Sequence, residues 1–291
     1  MKVLISAITL CLVAIIVGCG STTGNETNRI FPSEFPSFAI DRPINDPIEV
    51  VIPIGNGSME ETVRIEMVDG VKKEVSSVKT TTDWDIAFNQ EQITTTLNTR
   101  TELSTPDMEG LDYEFQEELI SDAEGKQISY LADFKGIDSE LPSEMINEFN
   151  DLQPKWIIAK YHLDKAGMLV KSGDQMQPSA IKRYLLRDVI GDEIHSEIEI
   201  PEIVEGYGKY DNKLVIVTSY SIDKTFDDEG STVQIKGKGF NLFDAESHIQ
   251  VLGEFHMLLN VSEEDKKVMQ MTTQINQRST GYNVSGVIRG K

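Results

Sequence analysis

The sequence predicts a mainly β protein with a few helices (α+β), its strands antiparallel in a curved sheet or half-barrel. Three observations carry this. Segments in which apolar and polar residues alternate recur along most of the chain. Turn residues of hairpin type separate them, Asp69-Gly70 above all. Helical spacing is confined to short stretches. With 39% apolar and 26% charged residues among 291, the chain has the composition of a soluble globular protein. Collagen, a polytopic membrane protein and a wholly disordered acidic tail are excluded.

Taken in order, residues 48–54 open the body as an apolar strand. Residues 61–68 alternate, with Val63, Ile65 and Met67 against Thr62, Arg64 and Glu66. Trp84, Ile86 and Phe88 alternate in the same way and are expected to pack inward. Residues 93–103 are threonine-rich and extended. Residues 104–126, acidic and rich in turn formers, read as irregular. Residues 141–149 read as a helix capped by Ser143. Residues 156–163 and 167–171 read as a hairpin, and residues 181–190 fit a helix or a strand. Residues 194–200 alternate, and Gly206-Tyr207-Gly208 reads as a break. Residues 213–222 form a buried strand. In residues 232–243 the inward set switches at Gly237-Lys238-Gly239, after which Phe240 and Leu242 face in; a bulge or bend is expected there. Residues 249–259 make a further strand. In residues 267–276 the alternation of Met269, Met271, Thr273 and Ile275 favours strand over helix.

The N-terminus carries the most specific signal. Met1-Lys2 is a short positive stretch, and residues 3–17 are apolar apart from Ser6 and Thr9. That run is shorter than the roughly 20 residues of a transmembrane helix and fits the core of a secretory signal. It ends in Ile16-Val17-Gly18-Cys19, which resembles a bacterial lipobox. The resemblance implies cleavage between Gly18 and Cys19, a diacylglyceryl group on the Cys19 thiol and acylation of the new amine. Two or three acyl chains anchor stably where one does not. Gly20, rather than Asp, implies the outer membrane, with the body facing the periplasm.

The expected organisation is a signal peptide at 1–18, a lipidated cysteine and flexible Pro/Ser/Thr-rich tether at 19–47, and a β-rich body at 48–291. The body is one domain or two, with candidate divisions near 140–155 or 205–208. The doubled Phe-Pro-Ser at 31–33 and 35–37 is expected to fold back on the body, a partner-binding peptide being the alternative.

Charge and residue inventory narrow the chemistry. The net charge of −21 repels phosphate backbones, and no basic run exceeds two residues, so no nucleic-acid partner is expected. With Cys11 in the signal and Cys19 lipidated, the mature body has no thiol for a disulfide, a nucleophile or a metal. No metal or other cofactor is expected. Glu254 and His256 share a strand face at i, i+2 spacing, Asp244, Glu246 and His248 have the same spacing across a turn, and both sets are candidate cation ligands; a solvated strand face is the competing reading. Asp223, Asp227, Asp228 and Glu229 read as an acidic turn without the EF-hand pattern. Ser76-x-x-Lys79 and Ser221-x-x-Lys224 match a short nucleophile motif, but its Lys-Thr-Gly companion is missing from the sequence.

The string Thr82-Asp83-Trp84-Asp85-Ile86-Ala87-Phe88-Asn89 resembles the Trp-Asp-Ile-Ala-Phe strand of HmuY-type haem-binding lipoproteins. The resemblance implies haem as an alternative ligand. No histidine follows where an axial ligand would stand, so no ligand residue carries over. The expected function is a membrane-anchored cell-envelope lipoprotein, non-catalytic, that binds an apolar ligand or an envelope protein. A haem-binding lipoprotein and a periplasmic hydrolase are the alternatives.

Overall fold

Among the described residues thirteen strands follow one another: β1 (Ile48–Glu49), β2 (Ile52–Asp69), β3 (Lys72–Asn89), β4 (Gln92–Thr105), β5 (Met108–Asp122), β6 (Gln127–Lys135), β7 (Leu169–Val170), β8 (Gln175–Met176), β9 (Glu202–Tyr210), β10 (Lys213–Asp228), β11 (Ser231–Asp244), β12 (Gln250–Glu263) and β13 (Lys266–Ile288). They come from a computed structural model that describes residues 36–69, 72–105, 108–135, 150, 153–155, 157–158, 160–176, 201–228, 231–263 and 266–290. Eleven strands form one curved, open antiparallel sheet in the order β6-β5-β4-β3-β2-β13-β12-β11-β10-β9-β8. Two meanders therefore meet where the first long strand pairs the last, from Ile52↔Ile288 to Asp69↔Met269. The fold class is as the sequence predicts: mainly β, antiparallel and curved.

Turn chemistry sets the hairpins. Asp69 pairs directly with Lys72 at the end of the β2–β3 ladder. Gln90-Glu91 and Asp211-Asn212 make two-residue turns with positive φ at both positions, the geometry that matches the right-handed twist of flanking strands.

One face of the sheet, the inner one, is covered by residues 153–155, 157–158 and 160–163, which are helical at 153–155, 157–158 and 160. There Ile157 and Leu163 pack on Trp84, Ile86, Ile93, Leu97, Phe115 and Leu119. Register carries the inner set across the meanders through Glu61↔Gln277, Val63↔Ile275 and Ile65↔Thr273. Further along it reaches Phe255 and Leu259 on β12 and Ile235 on β11.

Several expectations need correcting. Residues 104–126 are not irregular: β5 occupies most of them, with Phe115, Leu119 and Ser121 inward. An inward acid, Glu117, interrupts that alternation and hides it. Residues 156–171 are not a hairpin. Gln153, Ile157 and Tyr161 are one helical turn apart, and the continuous apolar run 156–159 fits helix as well as strand. Gly206-Tyr207-Gly208 is no break, because β9 runs through it.

At Gly237-Lys238-Gly239 the register with β10 and β12 is unbroken. Phe240 and Leu242 do not turn inward; they are buried on the outer face with Val215, Val217 and Phe38. This end of the sheet is covered on both sides, so strict alternation fails. Phe88, at the end of β3, is exposed rather than packed inward.

Residues 36–47, placed in the tether by sequence, are bound to the sheet. Phe38 stacks on Phe240 with ring centroids 5.5 Å apart. Arg42 forms an antiparallel bridge with Tyr207 at the β9 margin. Ile44 N–H donates to Ser172 Oγ at 2.7 Å, and Ile44 itself is buried. The arm thus wraps from the outer face to the inner. Gly206 and Gly208 make room for it: a Cβ on Gly208 would lie 2.8 Å from the Phe38 ring, and one on Gly206 would lie 2.6 Å from the Arg42 carbonyl oxygen. The expected helix at 141–149, the segment 181–190 and the strand at 194–200 lie outside the described residues.

Candidate functional site

The inner face buries charge as well as hydrocarbon. Glu61 on β2 and Glu117 on β5 occupy inward positions in phase with Val63 and Phe115, and both are almost fully buried. Glu61 Oε2 accepts from the Gln277 amide at 2.5 Å, and Glu117 Oε1 accepts from the Tyr130 hydroxyl at 2.6 Å. The second oxygen of each carboxylate has no hydrogen-bond partner. Lys160, delivered by the helical segment above, attracts both.

Burial pushes Glu61 up to about 7, against the pull of Lys160 and the Gln277 hydrogen bond. It pushes Glu117 up to about 7 as well, against the Tyr130 bond and Lys160. Burial drives the Lys160 ammonium down, while Glu61 and then Glu117 hold it up. Tyr130 and Tyr161 are raised by burial and then by the Glu117 charge. Burial favours the uncharged form of each carboxylate and of the amine, and the mutual attraction through Lys160 opposes it.

Beside this cluster lies a small cavity of about 20 Å³, the size of one water molecule, bounded by Met59, Trp84, Tyr161, His162 and His248. His248 Nδ1 accepts from the Val51 N–H at 3.2 Å, which places the ring proton on Nε2. Burial, then the facing His162, lowers His248 to about 4. A second, open groove of about 450 Å³ lies on the outer face among Asn56, Ser58, Asp83, Asp85 and Asn98.

The sequence-predicted residues are placed apart. Asp244 ends β11 and caps its own turn. Its Oδ1 accepts from the N–H groups of Glu246 and Ser247, and its Oδ2 from Tyr282. Although burial pushes Asp244 up, those bonds hold it below its ordinary value. Glu246 is exposed on that turn, while His248 lines the small cavity. Glu254 and His256 lie on the outer face of β12 opposite Phe240 and Lys238; burial raises the first and lowers the second.

Among the described residues, no group of three or more His, Cys, Asp or Glu gathers to hold a metal. Asp223 pairs with Lys236 at 3.3 Å. The two Ser-x-x-Lys matches lie within β3 and β10, where residues three apart point to opposite faces. Gly18 and Cys19 lie outside the described residues. No helix among the described residues is long and apolar enough to cross a membrane.

No protein-family model matches this chain, and no curated protein matches it. Solved structures do resemble it. A lipovitellin structure concerned with lipid–protein interactions aligns over 82% of this chain at 9% identity and a TM-score of 0.41; the chain spans 28% of that protein. A DUF1329 family protein from Desulfovibrio piger aligns over 77% of this chain and 86% of its own length, at 9% identity and a TM-score of 0.21. The ywiB protein from Bacillus subtilis aligns over 76% of this chain and 92% of its own, at 10% identity and a TM-score of 0.15. None of the three assigns a function to this chain.

Glu61, Glu117 and Lys160 escape a motif search because they form no sequence motif. The available signal is a charge in phase with apolar neighbours: Glu61 in step with Val63 and Ile65, and Glu117 between Phe115 and Leu119.

Proposed function

We propose that the protein is a cell-envelope lipoprotein, held through acyl groups on Cys19 to the outer membrane, whose sheet binds an apolar ligand without catalysis. The observation that carries this reading is the soft lining of the inner face. Met67, Met257, Met269 and Met271 share that face with Ile65, Phe255 and Leu259, and all four methionines are only half-buried. Met67 and Met271 are direct cross-strand partners. Unbranched, polarisable side chains grouped in this way adapt to apolar guests of irregular shape.

The test has two arms. Mass spectrometry of the native product reads the Cys19 modification directly; an unmodified thiol removes the anchor. Native mass spectrometry of the purified protein, with palmitate titration followed by tryptophan fluorescence, reads the ligand. The expected result is one apolar ligand per chain, with affinity reduced at least tenfold by Met271→Glu. A preparation that carries no lipid and ignores palmitate removes the apolar-ligand reading and leaves the anchor standing.

A further inference from the structure

The two margins of the sheet are treated differently. At one, β9 is closed by the short β8 and by the arm, whose Asp41 N–H donates to the Tyr207 carbonyl at 2.8 Å. At the other, β6 pairs only with β5 among the described residues. Among the described residues nothing pairs with the outer side of this nine-residue strand, and such an edge templates pairing with another strand. Two large apolar side chains on it are open to solvent: Ile128 is 53% exposed and Leu131 is 68% exposed, the highest value among the described large hydrophobic residues.

We propose that the β6 margin is a dimer interface, at which a second copy of this chain pairs antiparallel about a two-fold axis through Leu131. The sequence of β6 is self-complementary in that register. Leu131 meets its own counterpart, and Ile128 stands opposite Phe134 of the second copy. Ser129 stands opposite Asp133, and Gln127 opposite Lys135. No like charges meet. Asp133 and Lys135 are the only charged residues of the strand, so β6 is locally neutral on a chain of net charge −21. Two strongly acidic bodies repel at most orientations; this margin brings together the apolar residues and a balanced charge set. The result is one continuous sheet of two copies, related as a closed two-fold dimer requires.

Directly paired residues across an antiparallel ladder have Cα atoms about 4.5–5.5 Å apart, within the roughly 4.4–6.8 Å span of a disulfide. In a full chain freed of its own thiols by Cys11→Ser and Cys19→Ser, Leu131→Cys should therefore cross-link to itself under mild oxidation. Gln127→Cys should not, because its two copies would stand about 27 Å apart in this register. Analytical ultracentrifugation of the chain with Leu131 intact should show a dimer, and Leu131→Lys, which opposes two like charges on the axis, should weaken it at least tenfold. Because Leu131 is exposed, circular dichroism and melting of that variant should match those of the parent. A monomer at every concentration, a dimer indifferent to Leu131→Lys, or equal cross-linking at 127 and 131 would each overturn the proposal. Association with a different protein, without self-association, would overturn it too.

Discussion

Replacing Glu117 by Gln should flatten the dependence of stability on pH between about 5 and 6.5. Glu117 has a folded value of about 7 against an ordinary 4.5. Between those values the folded chain keeps a proton that the unfolded chain has released. Stability contributed by a raised acid is present below its unfolded value and is lost as pH rises, at about 1.4 kcal/mol per pH unit. Across the whole window the loss is about 3 kcal/mol. Glu61 acts in the same direction and to the same extent.

His248 acts in the opposite direction. Its folded value of about 4 lies below its ordinary 6.5, so the unfolded chain takes up its proton first and stability falls as pH drops through this window. Burial also lowers His256, which adds to this opposite slope, and raises Glu254, which adds to the falling one. The effect of Glu117→Gln is therefore read as a difference: the variant should lack a fall of about 1.4 kcal/mol per pH unit that the parent shows, while its amide oxygen still accepts from Tyr130. Glu61→Gln/Glu117→Gln should lack about twice that fall. Urea unfolding at several pH values across the window measures each slope. Parallel lines for parent and Glu117→Gln would refute the buried-proton reasoning.

Two further outcomes follow from packing. Leu97 is fully buried in the inner core, so Leu97→Ala should lower the unfolding free energy by about 2–5 kcal/mol by urea melt; a loss below about 1 kcal/mol would contradict the packing described. Gly208→Val would drive a side chain into the Phe38 ring and the Ala39 carbonyl, and the strain should cost about 1–3 kcal/mol. Limited proteolysis should then cut within residues 36–47 faster than in the parent.

The sheet was largely legible in the sequence because its strands are long and mostly one-sided. Residues 61–68 and 267–276 alternate, residues 93–103 are threonine-rich, and the three segments fall within β2, β13 and β4. Legibility failed wherever a second rule competed with alternation. In β5, one inward carboxylate broke the pattern. In β10 and β11, the arm buries Val215, Val217, Phe240 and Leu242 from the outer side, so both phases of each strand became apolar. In β9, glycines that serve close approach of the arm looked like a turn. The buried cluster escaped for a related reason. Its members lie 56 and 43 residues apart in sequence; Glu61 stands three strands from Glu117, in the row of Thr80, Thr101 and Tyr113, and only Lys160 on the helical segment attracts both.

The arm changes how the tether should be understood. A passive leash would leave the body unaffected when removed, so a chain beginning at residue 48 would be as stable as one beginning at residue 20. The contacts argue otherwise. Ile44 is 3% exposed, and full burial of such a side chain contributes about 1.5–3 kcal/mol. The backbone exchange between Arg42 and Tyr207, with the Ile44–Ser172 bond, adds on the order of 0.5–1.5 kcal/mol per hydrogen bond. Phe38 shields Phe240 and the floor of β9 at Gly208. Deleting residues 20–47 should therefore cost on the order of 4 kcal/mol, a large part of the roughly 5–15 kcal/mol that holds a domain folded. It should also reopen the β9 margin as a second sticky edge, visible as concentration-dependent light scattering. Equal urea midpoints for the chains beginning at 20 and at 48 would show that the arm only lies on the sheet; a lower midpoint together with aggregation would show that it completes the sheet.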